Sequence, residues 1–216
     1  MRIVCISDTH NSLKRIAVPD GDVLVHAGDL TMSGTVREVA TQLQHLAALP
    51  HRYKVFIAGN HDWLFQRDSG LARGLVDGAG LGGNPLIYLE ESAVTIDGIA
   101  IWGSPWQPEF CNWAFNYDRA EGVERWASMP HGLDILVTHG PPHGYGDIVP
   151  RGERVGCFDL ADAVAHKKPR YHIFGHIHCG YGVYEGVGAC AGTTFINASC
   201  LGEDYKVTNK PVVIDL

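Results

Sequence analysis

Eight side chains of the types that bind metals follow short apolar runs at five places in the chain. They are Asp8, His10, Asp29, Asn60, His61, His139, His176 and His178. Imidazole nitrogens, carboxylates and a carboxamide oxygen together suit borderline divalent metals such as manganese, iron, zinc or nickel. Eight ligand groups are too many for a site with one metal ion. They fit two ions that share a bridging carboxylate, with one group left over for catalysis.

The apolar runs that precede these residues predict the strands that must position them. The runs span residues 2–7, 22–27, 53–58, 133–138 and 171–174, and further runs span 93–102, 193–198 and 211–215. Their length and their valine and isoleucine content are typical of buried strands, and Asp97-Gly98 predicts a hairpin turn. A period of 3.6 residues predicts a helix over 35–49. Residues 118–129 and 158–168 are two more helix candidates.

This alternation of strands and helices indicates an α/β layered fold, in which ligand-binding loops lie beyond the carboxyl ends of the strands. If the five strands share one edge, their loops converge on a single site. Glycines 28, 59 and 175 stand at three of these junctions and permit sharp turns. His176 and His178 are two residues apart, a spacing that lets both side chains reach one cluster.

Composition and charge indicate one globular domain over residues 1–216. Hydrophobic residues make up 45% of the chain and charged residues 19%, as in folded proteins. The net charge of −7 argues against a polymeric nucleic acid as partner, because such proteins carry a basic surface. The six cysteines form no C-x-x-C pair, and no apolar run approaches the roughly 20 residues of a membrane span. With no signal peptide, a cytoplasmic protein is expected.

The order and spacing of the polar motifs resemble the calcineurin-like metallophosphoesterase superfamily. The motifs are D-x-H at Asp8, G-D at Gly28, G-N-H-D at Gly59, H-G-P-P at His139 and G-H-x-H at Gly175. Further stretches are similar to the small MPPED-type branch and extend the resemblance over nearly the whole chain. They are G-S-P-W-Q-P at 103–108, F-N-Y at 115–117, R-V-G-C at 154–157 and N-A-S at 197–199.

The resemblance implies two mixed β-sheets packed as a sandwich and flanked by helices, in four layers. It also implies two divalent metal ions, with manganese expected first and iron, zinc, nickel or cobalt as alternatives. The implied ligands are Asp8, His10 and His178 for the first ion, Asn60, His139 and His176 for the second, and Asp29 as the bridge.

The same resemblance makes His61 catalytic: it would hydrogen-bond the phosphate or protonate the leaving oxygen. Asp62 would orient His61 or raise its pKa by pairing with it. The two ions would hold a bridging hydroxide that attacks phosphorus in line, and they would neutralise charge on the transferring group. The expected activity is hydrolysis of small phosphoesters, with phosphodiesters such as small cyclic nucleotides as the expected substrates.

Two other functions fit the same motifs. A phosphomonoesterase, including a protein phosphatase, would use the same metals, although the short chain argues against an open groove for a peptide. A non-catalytic metal-binding or nucleotide-binding module would keep the fold without turnover. No ligand that the resemblance implies is missing, which argues against this second alternative.

Aromatic residues gather in segment 102–117 and offer a surface on which a base could stack. Trp106 and Phe115 are the candidates there for substrate contact, and packing over the core is the alternative for both. His143 is a third candidate because it follows H-G-P-P on the loop that carries His139. Arg151 and Arg154 could meet a phosphate group, or they could form ion pairs.

Overall fold

The structure is a computed structural model and describes residues 1–81 and 85–216. Its strands are, in chain order, β1 (Arg2–Ile6), β2 (Val23–Ala27), β3 (Tyr53–Ile57), β4 (Leu86–Tyr88), β5 (Ser92–Ile96), β6 (Ile99–Ser104), β7 (Gln107–Pro108), β8 (Asn116–Tyr117), β9 (Ile135–Thr138), β10 (Tyr171–Phe174), β11 (Gly182–Glu185), β12 (Thr194–Asn197) and β13 (Val212–Asp215). The α-helices are α1 (Val36–Ala47), α2 (Trp63–Arg67), α3 (Ser69–Gly80), α4 (Gly122–Ala127) and α5 (Phe158–Lys167). Within the described ranges, none of these helices is long and apolar enough to cross a membrane.

The strands form two mixed sheets and one short pair. The first sheet has five strands in the order β13-β1-β2-β3-β4, and only β13 runs antiparallel to its neighbour. The second sheet has six strands in the order β11-β12-β10-β9-β6-β5, with β11 and β5 antiparallel at its two edges. Strands β7 and β8 pair with each other.

The two sheets pack face to face, with helices on both outer faces. Successive residues of a strand point to opposite sides, so Ile3 of β1 packs in the core between the sheets while Val4 packs under the first helix layer. Helices α1, α2 and α3 cover the first sheet, and α4 and α5 cover the second. These are the four layers that the family resemblance implied, and that prediction is confirmed.

Most of the predicted elements are present, and their ends follow local chemistry. The Asp97-Gly98 hairpin joins β5 to β6, with positive φ values of 47° and 89° at its two turn residues. Helix α1 begins after Thr35, which forms a capping box with Glu38. The sequence did not predict α3, whose glycines weaken the helical pattern; its start is capped by Asp68, which accepts from Leu71 N–H.

Candidate metal centre

The five polar motifs meet at one edge of the sandwich. Strands β1, β2 and β3 run parallel in the first sheet, and β9 and β10 run parallel in the second, so each sheet delivers its loops at the carboxyl ends of its strands. A parallel bridge between Ser7 and Ser199, and the bond from Cys200 N–H to the Ser7 carbonyl, join the sheets at this edge. The donors of both sheets therefore face one site.

One group of donors contains Asp8, His10 and His178, whose ligand atoms lie within 4.8 Å of one another. His178 Nε2 lies 3.6 Å from Asp8 Oδ1 and 3.4 Å from His10 Nε2. All three residues are buried. These are the residues that the resemblance implied for the first ion.

A second group lies around Asp29, whose carboxylate also lies close to His10 of the first group. Asp29 Oδ2 is 3.4 Å from His139 Nε2 and 3.6 Å from His10 Nε2, so one carboxylate lies between the two groups. His139 Nε2 is also 2.9 Å from Asn60 Oδ1. The ring of His176 lies 5.1 Å from the ring of His139, centroid to centroid. The structure thus brings all seven expected ligands together.

Backbone carbonyls hold the imidazoles in one orientation. The Nδ1 atoms of His10, His139 and His178 donate to the carbonyls of Thr31, Ala27 and Gly202, over 3.1, 2.9 and 3.0 Å. A carbonyl can only accept, so Nδ1 carries the proton in each ring and Nε2 faces the centre. This is the arrangement that metal-binding histidines use.

At the centre the pKa of the Asp8 carboxyl is lowered, and the pKa values of two histidines are raised. Burial raises the pKa of Asp8, but the contact with His178 and the charges of nearby imidazoles outweigh it and hold the pKa well below its usual value. Burial lowers the pKa of His139, but the charge of Asp29 raises it to about 9. Contact with Asp8 likewise raises the pKa of His178 to about 9 against the effect of burial. This buried set of two carboxylates, one carboxamide and oriented imidazoles fits a pair of divalent cations.

Metal binding should therefore release protons. A ligating imidazole must be neutral, and His139 and His178 are protonated below about pH 9 in the metal-free protein. We expect about two protons to leave per protein at pH 7, and metal affinity to rise with pH until about pH 9. Calorimetric titration with Mn²⁺ in buffers of different ionisation enthalpy measures this number. A binding enthalpy that is the same in every buffer at pH 7 would contradict the prediction.

The two histidines of G-H-x-H should serve different ions. His178 contacts Asp8 and His10, whereas the ring of His176 lies beside His139. We expect His178→Ala to weaken the site of Asp8 and His176→Ala to weaken the site of Asn60 and His139. Titration with Mn²⁺, followed by metal analysis of each variant, checks this division. Unchanged metal content in both variants would count against it.

The backbone of the centre is held in left-handed conformations. Asp8, His10, Asp29 and His176 have φ values of 52°, 35°, 58° and 68°, which non-glycine residues rarely adopt. Such strain clusters at functional sites. At Gly175 a Cβ atom would lie 2.1 Å from Asp8 Oδ2 and from Ser7 Oγ, so only glycine permits this close approach.

His61 lies beside the donors and is held on two sides. Its Nδ1 donates to the Met32 carbonyl over 2.7 Å, and one of its ring nitrogens lies within 4.8 Å of ligand atoms of His10 and Asp29. The indole of Trp113 stacks on it, with centroids 4.2 Å apart and planes 28° apart. The ring of His10 meets it edge-on at 4.6 Å. His61 is thus oriented at the centre by contacts that do not use Asp62.

The expected pairing of Asp62 with His61 is wrong. The Asp62 carboxylate accepts instead from the N–H groups of Leu30, Thr31 and Gly59 and from the Thr31 hydroxyl, over 2.7 to 3.1 Å. Burial and the charge of Asp29 raise the pKa of Asp62 to about 6. Asp62 therefore ties the loop after β2 to the loop after β3.

Phe115 packs in the interior and the half-buried Trp106 packs beside it, and neither is among the residues that line the cavity over the centre. Phe115 is fully buried in the core under the first helix layer. Trp106 meets Phe115 edge-on at 5.5 Å, and the Arg125 guanidinium covers it at 4.3 Å. The expectation that these two side chains contact substrate is therefore corrected. Two other aromatic residues of the same segment, Phe110 and Trp113, line the cavity over the centre.

His143 also lies away from this cavity. Its ring stacks on Phe158 with centroids 3.8 Å apart, and its Nδ1 lies 3.5 Å from Asp147 Oδ2. Arg154 forms an ion pair with the buried Asp147, which is the ion-pairing alternative to contact with a phosphate group. Arg151 lies in the cavity wall and pairs with Glu153 at 3.3 Å.

Two residues at the site lie outside the five polar motifs, so those motifs did not predict them. The Ser199 hydroxyl donates to Asp8 Oδ2 over 2.7 Å, and only its place in the N-A-S stretch pointed to it. The ring of Tyr205 lies 5.0 Å from that of His10 and 5.3 Å from that of His178, centroid to centroid. Tyr205 follows the last motif by many residues, and the strand–loop pattern contains nothing to mark it.

The family comparison agrees with the fold and the site. Residues 1–180 match the calcineurin-like phosphoesterases. The chain is 43% identical over 234 residues to human metallophosphoesterase domain-containing protein 1, and the match covers 100% of this chain and 71% of the human protein. The chain therefore belongs to the calcineurin-like metallophosphoesterases. Its full-length similarity to that human protein confirms the resemblance to the MPPED-type branch.

Solved structures share the fold at low sequence identity. A protein of Thermus thermophilus has a TM-score of 0.65 and 13% identity, over 91% of this chain and 88% of the other. An archaeal phosphodiesterase has a TM-score of 0.52 and 15% identity, over 99% of this chain and 100% of the other. At these identities the likeness shows the architecture alone.

Proposed function

We propose that this metallophosphoesterase hydrolyses phosphodiesters of small molecules, with cyclic nucleotides or similar compounds as substrates. The observation that carries the proposal is a cavity of about 400 Å³ whose lining includes five of the expected donors, His10, Asp29, Asn60, His176 and His178. Its walls come from the aromatic segment and from the loops that contain Arg151 and Tyr205. A cavity walled on several sides favours a small substrate over the surface of a folded protein.

The residues at the base of the cavity would have two different roles, metal binding and proton donation. Two bound divalent cations would supply an acidified water as nucleophile and positive charge for the phosphoryl group. Asp8, His10, Asp29, Asn60, His139, His176 and His178 would hold the cations. By the family resemblance His61 would stay outside that set; its Nδ1–H bonds the Met32 carbonyl, and one of its ring nitrogens lies within 4.8 Å of ligand atoms of His10 and Asp29. A protonated His61 could donate from Nε2 to a phosphate oxygen or to the leaving oxygen.

The wall of the cavity supports a diester over a monoester. A diester carries a second substituent, and Phe110 and Trp113 offer apolar surface for it beside the donors. Phe110 is 54% exposed, although large aromatic side chains are usually buried. An archaeal protein with the same fold is a phosphodiesterase. Manganese remains the first metal to test.

Hydrolysis of bis(p-nitrophenyl) phosphate by the manganese-loaded protein tests the proposal. The matched substrate is p-nitrophenyl phosphate, which has the same leaving group but is a monoester. We expect the diester to have the higher kcat/KM, and we expect a chelator to abolish turnover. Turnover of the monoester alone would contradict the diesterase and favour a phosphomonoesterase. No turnover of either ester by protein with a full metal complement would favour a binding role.

A further inference from the structure

Gln107 has a buried carboxamide that no other described residue satisfies. Its side chain is 2% exposed, and neither Oε1 nor Nε2 has a hydrogen-bond partner within residues 1–81 and 85–216. Leaving both atoms of a buried amide unpaired costs free energy, so such groups usually have a partner. Gln107 lies in the wall of the cavity over the metal centre. A bound ligand is therefore a natural partner for it.

The backbone around Gln107 is fixed, which makes its side chain a defined feature of the wall. Its N–H donates to the Phe115 carbonyl over 3.0 Å, and Gln107 pairs with Asn116 in the short sheet. On the other side it packs against the loop after β9: a Cβ atom at Gly140 would lie 3.4 Å from Gln107 Cβ. Gly140 directly follows His139. A group bound by Gln107 would therefore lie next to the metal centre.

The two unpaired atoms restrict what that group can be. Nε2 needs an acceptor and Oε1 needs a donor. A phosphate oxygen of a diester only accepts, so it would leave Oε1 unpaired. The edge of a nucleobase presents a donor beside an acceptor, and a glutamine carboxamide can pair with both. The terminal torsion of glutamine is broad, so the carboxamide can turn toward such an edge.

We propose that Gln107 binds the nucleobase of the substrate and makes the enzyme selective among nucleotides. This inference rests on the proposed function, because it assigns a substrate class to the same cavity. Phe110 and Trp113 supply the apolar wall beside which the base would lie. Gln107 is a specificity residue here and takes no part in the hydrolysis itself.

Gln107→Met is the matched variant, because methionine keeps the unbranched Cβ–Cγ stem and a similar length and removes both polar atoms of the carboxamide. The test compares kcat/KM of the metal-loaded wild type and variant on 3′,5′-cyclic AMP, GMP, CMP and UMP, and on bis(p-nitrophenyl) phosphate, which has no base. We expect the variant to lose roughly 5- to 150-fold on the preferred nucleotide, the value of one bidentate base contact. Turnover of bis(p-nitrophenyl) phosphate should change by less than about twofold, because a p-nitrophenyl group has no donor beside an acceptor to pair with the carboxamide.

A binding measurement separates this inference from the proposed function. Calorimetry compares nucleoside 5′-monophosphates with ribose 5-phosphate on both proteins. We expect the variant to bind the preferred mononucleotide more weakly and to bind ribose 5-phosphate as the wild type does. If the wild type hydrolyses no diester, the proposed function fails, and this comparison still decides the role of Gln107.

Two further outcomes would overturn the inference. Equal losses on every nucleotide, on bis(p-nitrophenyl) phosphate and on ribose 5-phosphate would show a structural role for Gln107. Unchanged selectivity among the bases would show that the carboxamide has another partner, such as an enclosed water. The melting temperature gives an independent check: removal of an unpaired buried amide should leave it at or above that of the wild type.

Discussion

Asp29→Asn should leave a folded protein that no longer holds two metal ions and hydrolyses phosphoesters at close to the background rate. The Asp29 carboxylate lies between His10 and His139, so its charge serves both groups of donors. Asparagine keeps the shape and tolerates the left-handed backbone at this position, where φ is 58°. We expect a larger loss of activity than the roughly 10–100-fold that follows removal of a ligand's outer hydrogen-bond partner.

Metal content per protein and kcat/KM for bis(p-nitrophenyl) phosphate measure this effect together. The matched control is Asp97→Asn, which makes the same exchange at another left-handed position, in the exposed turn between β5 and β6. The control should behave as the wild type does. Retention of two ions and of near-normal turnover in Asp29→Asn would show that Asp29 is not the bridge.

His61→Ala should retain both metal ions and lose about 10²- to 10⁴-fold in kcat, the usual contribution of a general acid or base. The imidazole is oriented by the Met32 carbonyl and by Trp113, so its loss removes one positioned group and leaves the other donors in place. His166→Ala, on the exposed face of α5, is the control and should have no effect. Loss of metal in His61→Ala would instead make His61 a ligand.

The choice of leaving group separates the two roles proposed for His61. If His61 protonates the leaving oxygen, the variant should lose much more on a 3′,5′-cyclic nucleotide, whose alkoxide needs a proton, than on a p-nitrophenyl ester. If His61 stabilises the phosphate, the activity of the variant should fall by a similar factor on both substrates. The comparison needs protein of equal metal content.

The sequence predicted the position of the site because its donors follow strands. Short runs rich in valine and isoleucine marked β1, β2, β3, β9 and β10, and parallel strands put their carboxyl ends at a common edge. The strand pattern alone indicated only an α/β fold. The pairing of those strands into two facing sheets came from the family resemblance, since periodicity contains no information about strand order.

The partners of individual side chains could not be predicted in the same way. Asp62 is adjacent to His61 in the chain, but its carboxylate accepts from N–H groups of the loop after β2 and of its own loop, because these buried backbone donors need an acceptor. Phe115 and Trp113 are two residues apart in one aromatic segment. Phe115 is buried in the core, and Trp113 lines the cavity. Composition cannot distinguish them, because the path of the loop decides which ring faces inward.

The division of the donors between two sheets has a mechanical consequence. Asp8, Asp29 and Asn60 follow strands of the first sheet, whereas His139, His176 and His178 follow strands of the second. Bound ions would therefore act as cross-links between the two halves of the sandwich. Separation of the sheets would then require release of the ions, so amide hydrogens at the carboxyl ends of β2 and β9 should exchange more slowly, and together, in the metal-loaded protein.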